Sequence, residues 1–428
     1  DVYKRQAYNR TALWIPYSQK MNYYNTGFIG GFLFNLRVDA MEQPAGYSEA
    51  AIKEIAKKYT AEAGETNKTR DQEAPNIVYV MSESFSDPSH LKGLTITGDP
   101  LKDYYAVADQ TISGKMLSQN YGGGTANIEF EALTSFSMGL LNPQMTTPYT
   151  MLVPKLTQLP SVVSFLQKQG YDATAIHPYD TSMYKRKDVY DVMGFQTFLD
   201  QDTMTYTDKI ENNPYISDAS AYKEVLSLLS DEKKPQFVHL VTMQTHMPYE
   251  GKYQTLNYQA TGDGNITALE NYLQDISYSS TALKDFIEQL KQLNRRTVVV
   301  FWGDHLPGIY SDAIKDQNDT AALHETEFLM VDSDGTFSTD TVPVTSPFYF
   351  APNVLNESQQ PINGFYALLL ALQEKLPAFE HGQYYQGEQW RSELSLDAKS
   401  RQLYEDYQLI QYDILQGKQY SLQTDLFG

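Results

Sequence analysis

The stretch TVVVFWGDHLPG, Thr297 to Gly308, decides the fold. Thr297 to Val300 are β-favouring residues that lead into Phe301 and Trp302. The run then stops at Gly303, Asp304 and His305, with Pro307 and Gly308 behind them. This pattern predicts a buried strand ending in a tight turn that carries two adjacent metal-capable side chains. Ligands of open α/β sheets sit at the carboxyl ends of strands, so an Asp-His pair there offers half of a divalent-cation site. On this stretch alone a second reading stands level with the first: Asp304 caps the turn and His305 packs inside it.

Working outward, the same pattern recurs upstream. Pro75 opens a main domain, and Asn76 to Met81 (NIVYVM) reads as a buried strand followed by Ser82, Glu83 and Ser84. Strand-like Ala173–His177, Phe237–Met243 and Glu327–Val331 then alternate with helix-like 161–168, 219–229 and 268–293. Alternation of this kind predicts an α/β fold with a mostly parallel central sheet and helices on both faces. Three regions are expected: residues 1–74 as an N-terminal arm, helix and linker, 75–345 as the catalytic domain, and 346–428 as a smaller C-terminal subdomain. Within the first, FIGGFLFNL (Phe28 to Leu36) reads as an arm on the main domain or a membrane-proximal collar. Residues 48–59 read as a helix capped by Ser48, and 61–74 as a polar linker. In the last, 361–376 and the amphipathic 400–415 read as helices.

Composition narrows the function. The chain has 428 residues, 41% hydrophobic and 20% charged, and a net charge of −20. That balance excludes a nucleic-acid backbone as partner, which needs clustered Lys and Arg. With no cysteine, thiolate nucleophiles, disulfides and zinc-thiolate sites are excluded. No apolar run reaches the roughly 18–20 residues that span a bilayer. The 33 tyrosines are expected on wettable surfaces and in clefts.

Between the two strand-end acids lies Tyr121-Gly122-Gly123-Gly124-Thr125-Ala126-Asn127, followed by a helical pattern to Met138. Glycines let the backbone approach a ligand closely, and the N–H groups of a first helical turn favour a phosphate. Thr125 is placed to face that anion, unless it is only an N-cap. Glu83, Thr125, Asp304 and His305 together offer three oxygens and one nitrogen. That set suits Mn²⁺ or Mg²⁺, with Zn²⁺ also compatible. Coordination would lower the pKa of the Thr hydroxyl and make it a nucleophile toward phosphorus or sulfur. His246 and His177 each lie at the end of a predicted strand. Arg186 sits in the basic run Lys185-Arg186-Lys187, either a solvated cluster or an anion clamp. His239, inside a strand, reads as a core histidine.

IVYVMSESF around Glu83, GGGTANIEFEALTSFSMG around Thr125, AIHPYDTSMYKRKDVYDVMGF, VTMQTHMPY around His246 and FWGDHLPG occur in one order. As a set they resemble the extracellular catalytic domain of the lipoteichoic acid synthase family, within the alkaline phosphatase and sulfatase superfamily. The resemblance implies that Thr125 is the nucleophile and forms a phosphothreonine. It implies that Glu83, Asp304 and His305 bind Mn²⁺ with Thr125, and that His246 moves a proton beside the phosphate. Arg186 and His177 would contact the headgroup, and Tyr184 stands where the family commonly has Trp. It further implies a phosphatidylglycerol donor and a polyglycerol phosphate or cell-wall glycan acceptor. The domain is expected on the outer face of the membrane of a Gram-positive-type cell, anchored by transmembrane segments upstream of residue 1. Two rival readings share the fold: a phosphodiesterase or sulfatase-type hydrolase with water as acceptor, and a non-catalytic glycerolipid- or glycan-binding relative. The second would have lost Thr125 or a metal ligand, and all four are present.

Overall fold

The computed structural model describes residues 38–230 and 233–428. The stretch Phe28 to Leu36 lies outside them. Thirteen strands follow in chain order among these residues: β1 Asn76–Ser82, β2 Thr95–Thr97, β3 Ile112–Leu117, β4 Asp172–His177, β5 Thr197–Asp200, β6 Gln236–Val241, β7 Gln259–Thr261, β8 Thr297–Gly303, β9 Glu325–Asp332, β10 Asp340–Thr345, β11 Ala378–Glu380, β12 Gln383–Gln386 and β13 Gln389–Arg391. Eight form one sheet in the order β10-β3-β9-β8-β1-β6-β4-β5. The run β8-β1-β6-β4-β5 is parallel throughout, whereas β9 pairs antiparallel with both β8 and β3.

β1 and β8 are buried along their whole length, as continuous apolar strands of a covered parallel sheet must be. Successive side chains point to opposite faces. Tyr79, Met81, Val300 and Trp302 therefore join one core, while Val78, Val80, Val299 and Phe301 join another. Helices 218–229 and 266–290 contribute to the second core, and helices 125–134, 162–168, 350–357 and 364–373 to the first. Among the described residues no helix is long and apolar enough to cross a membrane.

Several boundaries differ from the sequence reading. The helix expected at 48–59 runs Glu49–Asn67, capped by Ser48 as expected, and so takes in half of the supposed linker. Tyr59 and Ala63 on its later turns are buried, and that packing outweighs the polarity of the intervening residues. The helix after the triple glycine stops at Thr134, where Ser135 turns left-handed with φ 59°. The helix expected at 361–376 begins at Gly364, capped by Asn363, and leaves Pro361 outside. Tyrosine use also differs, because Tyr59, Tyr79, Tyr104, Tyr149 and Tyr190 are among the largest fully buried side chains.

Register places the site. Ser82 lies opposite Gly303, so Glu83 and Asp304 leave the sheet side by side. Met81 lies opposite Val241, which sets the loop toward His246 next to Glu83. Ile176 pairs with Leu240, which brings His177 beside Val241. Gly303 is required here, since a Cβ would stand 1.7 Å from the Phe85 carbonyl oxygen.

Candidate active site

The carboxyl ends of β8, β1, β6 and β4 open into a cavity of about 220 Å³. Glu83, Thr125, His305, Arg186, His177 and His246 line it. Asp304 lies beneath, fully buried.

Thr125 begins the helix Thr125–Thr134. Gly124 before it is left-handed at φ 81°, and a Cβ there would overlap the Asn120 side chain. Asn120 Nδ2 donates to Gly124 O at 2.9 Å, and Gly122 N donates to Leu306 O at 3.0 Å. The glycine loop before Thr125 is thereby tied to the turn that carries His305. Thr125 Oγ1 donates to Asp304 Oδ2 at 2.7 Å and lies 3.4 Å from His305 Nε2. Asp304 Oδ1 accepts from Ser84 N at 2.7 Å and from His305 N at 2.8 Å. His305 Nδ1 donates to Leu306 O at 2.9 Å, which turns Nε2 toward Glu83 and Asp304, 3.9 and 3.2 Å away.

Glu83, Asp304 and His305 bring one donor atom each within 4.8 Å of one another. Among the described residues their ion-pair contacts are only with each other. Burial, then the nearby Glu83 charge, pushes Asp304 up to about 6. Burial works against a charged His305, yet the two carboxylates outweigh it and raise the imidazole above its usual value. Such crowding is relieved by a shared cation. Two carboxylates, an imidazole and a hydroxyl form a donor set that fits a hard or borderline divalent metal.

Opposite lie the groups that would meet a substrate. His177 Nδ1 donates to Val241 O at 2.9 Å, and its buried Nε2 has no hydrogen-bond partner. Burial, helped by Arg186, lowers His177 to about 3, so it is a neutral acceptor. His246 Nδ1 donates to Met247 O at 2.7 Å, and the Tyr215 hydroxyl reaches the same carbonyl at 2.7 Å. That leaves Nε2 for the cavity. Arg186 is buried, not a solvated cluster, and lies over the Tyr184 ring at 5.3 Å.

Sequence reasoning missed the residues behind these. Glu129 pairs with Arg186 and touches His239, which is indeed buried within β6. Lys252 Nζ donates to Gln244 O and His246 O, each at 2.8 Å, and to Asp275 Oδ2 at 2.6 Å. Glu129 had one available signal, its spacing of four from Thr125 on a helix. Lys252 had none.

The family model described as Sulfatase matches residues 75–357. A putative cyclic beta-1,2-glucan modification protein of Rhizobium meliloti is 30% identical over 95% of this chain and 64% of its own length. Lipoteichoic acid synthase 1 of Bacillus subtilis is 27% identical over 54% of this chain and 36% of its own. The chain thus spans less than two thirds of either curated relative. The solved phosphoglycerol transferase GacH of Streptococcus pyogenes, in complex with sn-glycerol-1-phosphate, is 29% identical. It superposes with a TM-score of 0.81 over 91% of this chain and 99% of its own. On the family match and the shared sheet, the chain belongs to the sulfatase family, with the fold of the alkaline phosphatase superfamily.

Proposed function

We propose that this chain is a metal-dependent phosphoglycerol transferase that works through a phosphothreonine at Thr125. The observation that carries the reading is the position of Thr125 Oγ1. It sits at a helix N-terminus, 2.7 Å from Asp304, and shares its cavity with His246, His177 and Arg186. The likeness to GacH, solved with a glycerol phosphate, supports the substrate class.

Glu83, Asp304, His305 and Thr125 would hold the metal, Mn²⁺ in preference to Mg²⁺ or Zn²⁺. Bound there, it supplies Lewis-acid charge and lowers the pKa of the Thr hydroxyl. Thr125 gives up its proton, accepted at the start by Asp304, and Oγ1 attacks the phosphorus of a phosphatidylglycerol. The bond from phosphorus to the diacylglycerol oxygen breaks, and His246 Nε2 delivers a proton to that oxygen. An acceptor hydroxyl then attacks the phosphorus of the glycerol-phosphoryl threonine and His246 takes up its proton; the bond from phosphorus to Thr125 Oγ1 breaks, and Asp304 returns its proton to Oγ1. Arg186 offsets charge on the phosphoryl oxygens. Neutral His177 accepts a hydrogen bond from a headgroup hydroxyl, against the wall formed by Tyr184.

The acceptor is a polyglycerol phosphate chain or a wall glycan. The names of the relatives point to lipoteichoic acid in one case and a cyclic glucan in another. We place the domain on the outer face of the cell membrane, where donor and acceptor meet.

The test is incubation with Mn²⁺ and a fluorescent-headgroup phosphatidylglycerol, beside Thr125→Ala. Diacylglycerol release and a glycerol-phosphate adduct by intact mass, both lost in the variant, are expected. Release that persists in Thr125→Ala overturns the nucleophile, and no release from the Mn²⁺-loaded protein overturns the donor.

A further inference from the structure

Arg186 faces the cavity, yet only 1% of its surface is exposed. A buried guanidinium is tolerated where its donors are met. Glu129 meets two of them: Nε donates to Oε2 at 3.2 Å, and Nη2 donates to the same oxygen at 3.0 Å. Glu129 is itself fully buried. Its other oxygen, Oε1, accepts from the Tyr190 hydroxyl and lies 3.2 Å from His239 Nε2. One carboxylate is thus fixed by three side chains from two elements, Arg186 and Tyr190 of the helix 186–193 and His239 of β6. Glu129 takes one donor each from Nε and Nη2, which leaves the Nη1 pair and the second Nη2 donor of a residue that lines the cavity.

Position along the chain adds a second, independent fact. Glu129 follows Thr125 by four residues on the same helix, one turn away. Arg186 begins a different helix, Arg186–Met193, after two left-handed residues, Tyr184 at φ 61° and Lys185 at φ 54°. Such backbone costs energy outside glycine and persists only where surroundings impose it. The loop before Arg186 therefore does not set the fork by its own preference.

We propose that Glu129 is a positioning residue that fixes the anion-binding end of Arg186 relative to Thr125, registering the guanidinium on the nucleophile's own helix. This rests on the phosphoryl-transfer reading above. Glu129 makes and breaks no bond in the reaction. Its charge also cancels that of Arg186, so the fork recognises a phosphodiester by directed N–H groups and not by net positive field. A lysine at 186 should then fail, because a compact ammonium cannot hold Glu129 and present a planar edge to the ligand.

The experiment uses the Mn²⁺-loaded protein with sn-glycerol 1-phosphate as probe, read by calorimetry, together with KM for the fluorescent donor. Arg186→Gln, Arg186→Lys and Glu129→Gln should each weaken probe binding at least tenfold and raise KM, with Mn²⁺ affinity unchanged. The double variant Glu129→Gln/Arg186→Gln should bind no more weakly than Arg186→Gln, because Glu129 acts only through Arg186. Losses that multiply in the double variant would assign Glu129 a merely structural part and overturn the proposal. So would Glu129→Gln binding within twofold of wild type while Arg186→Gln does not. If Glu129→Gln fails to fold, Arg186→Lys decides: wild-type binding there shows that charge suffices and refutes the positioning role. Wild-type binding by Arg186→Gln would instead sink the clamp assigned under the proposed function.

Discussion

At Thr125 the proposed chemistry reduces to one hydroxyl. Thr125→Ala removes the hydroxyl, with its hydrogen bond to Asp304, and a single γ-methyl group. Turnover should fall by at least about a thousandfold, as for other nucleophiles, with the thermal midpoint little changed. Diacylglycerol release and a melting curve check both halves. Asp304→Asn keeps the shape that receives Ser84 N and His305 N but loses the charge. Outer partners of a metal cost about 10–100-fold in affinity when removed, and a ligand should cost no less. Calorimetric titration with Mn²⁺ measures this. The positions of Asp304, His305 and Glu83 were legible in the sequence because they follow two strand ends, that of β8 and that of β1, a local signal. Burial of Arg186 was not. Its partner Glu129 is 57 residues away, and the run Lys185-Arg186-Lys187 reads as a surface patch until the fold turns the middle residue inward.

At the level of elements, the loop from β6 to His246 hangs on Lys252. Its ammonium holds two carbonyls of that loop and the buried Asp275. Lys252→Met strands a buried carboxylate, which should cost about 3–5 kcal/mol and lower kcat by freeing His246. Urea melts and kinetics give the two numbers. The helix Thr125–Thr134 and β11 each carry a buried acid, Glu131 and Glu380, whose charges would repel. Burial raises Glu380 from 4.5 to about 8, and raises Glu131 as well. A carboxyl with a raised folded pKa costs nothing below its unfolded value. As pH rises from about 4.5 toward about 8 the unfolded chain loses the proton first, and stability falls. Glu380→Gln should flatten that slope, measured as urea midpoints across the window. β1, β4, β6, β8 and β9 were legible because each is a buried, largely apolar run, whereas β3, β5 and β10 of the same sheet, more exposed and more polar, were not. The short β2–β7 and β11–β13 pairings were not, since their stability comes from packing against neighbours and leaves little periodicity to read.

Across the whole molecule, the flanking segments and the catalytic sheet share a core. Ile55 and Tyr59 near the start, Tyr79 and Trp302 in the sheet, and Tyr407, Ile410 and Leu426 near the end belong to one cluster. Ile410→Ala should therefore cost about 2–5 kcal/mol and lower a single calorimetric transition, without splitting off a separate one. The link between the flanks is polar as well as apolar. The Tyr59 hydroxyl donates to Asp406 across 347 residues of chain, and the Tyr47 hydroxyl donates to Asp413 across 366. A ribosome adding about 5–20 residues per second needs roughly 17–70 s to make the intervening 347. For most of that interval, until the helix 364–373 on which it packs is made, the helix 49–67 waits with Ile52, Ile55 and Tyr59 uncovered by it, a ready target for a holdase. Maturation of this protein should depend on what shelters that helix while the rest of the chain is still being made.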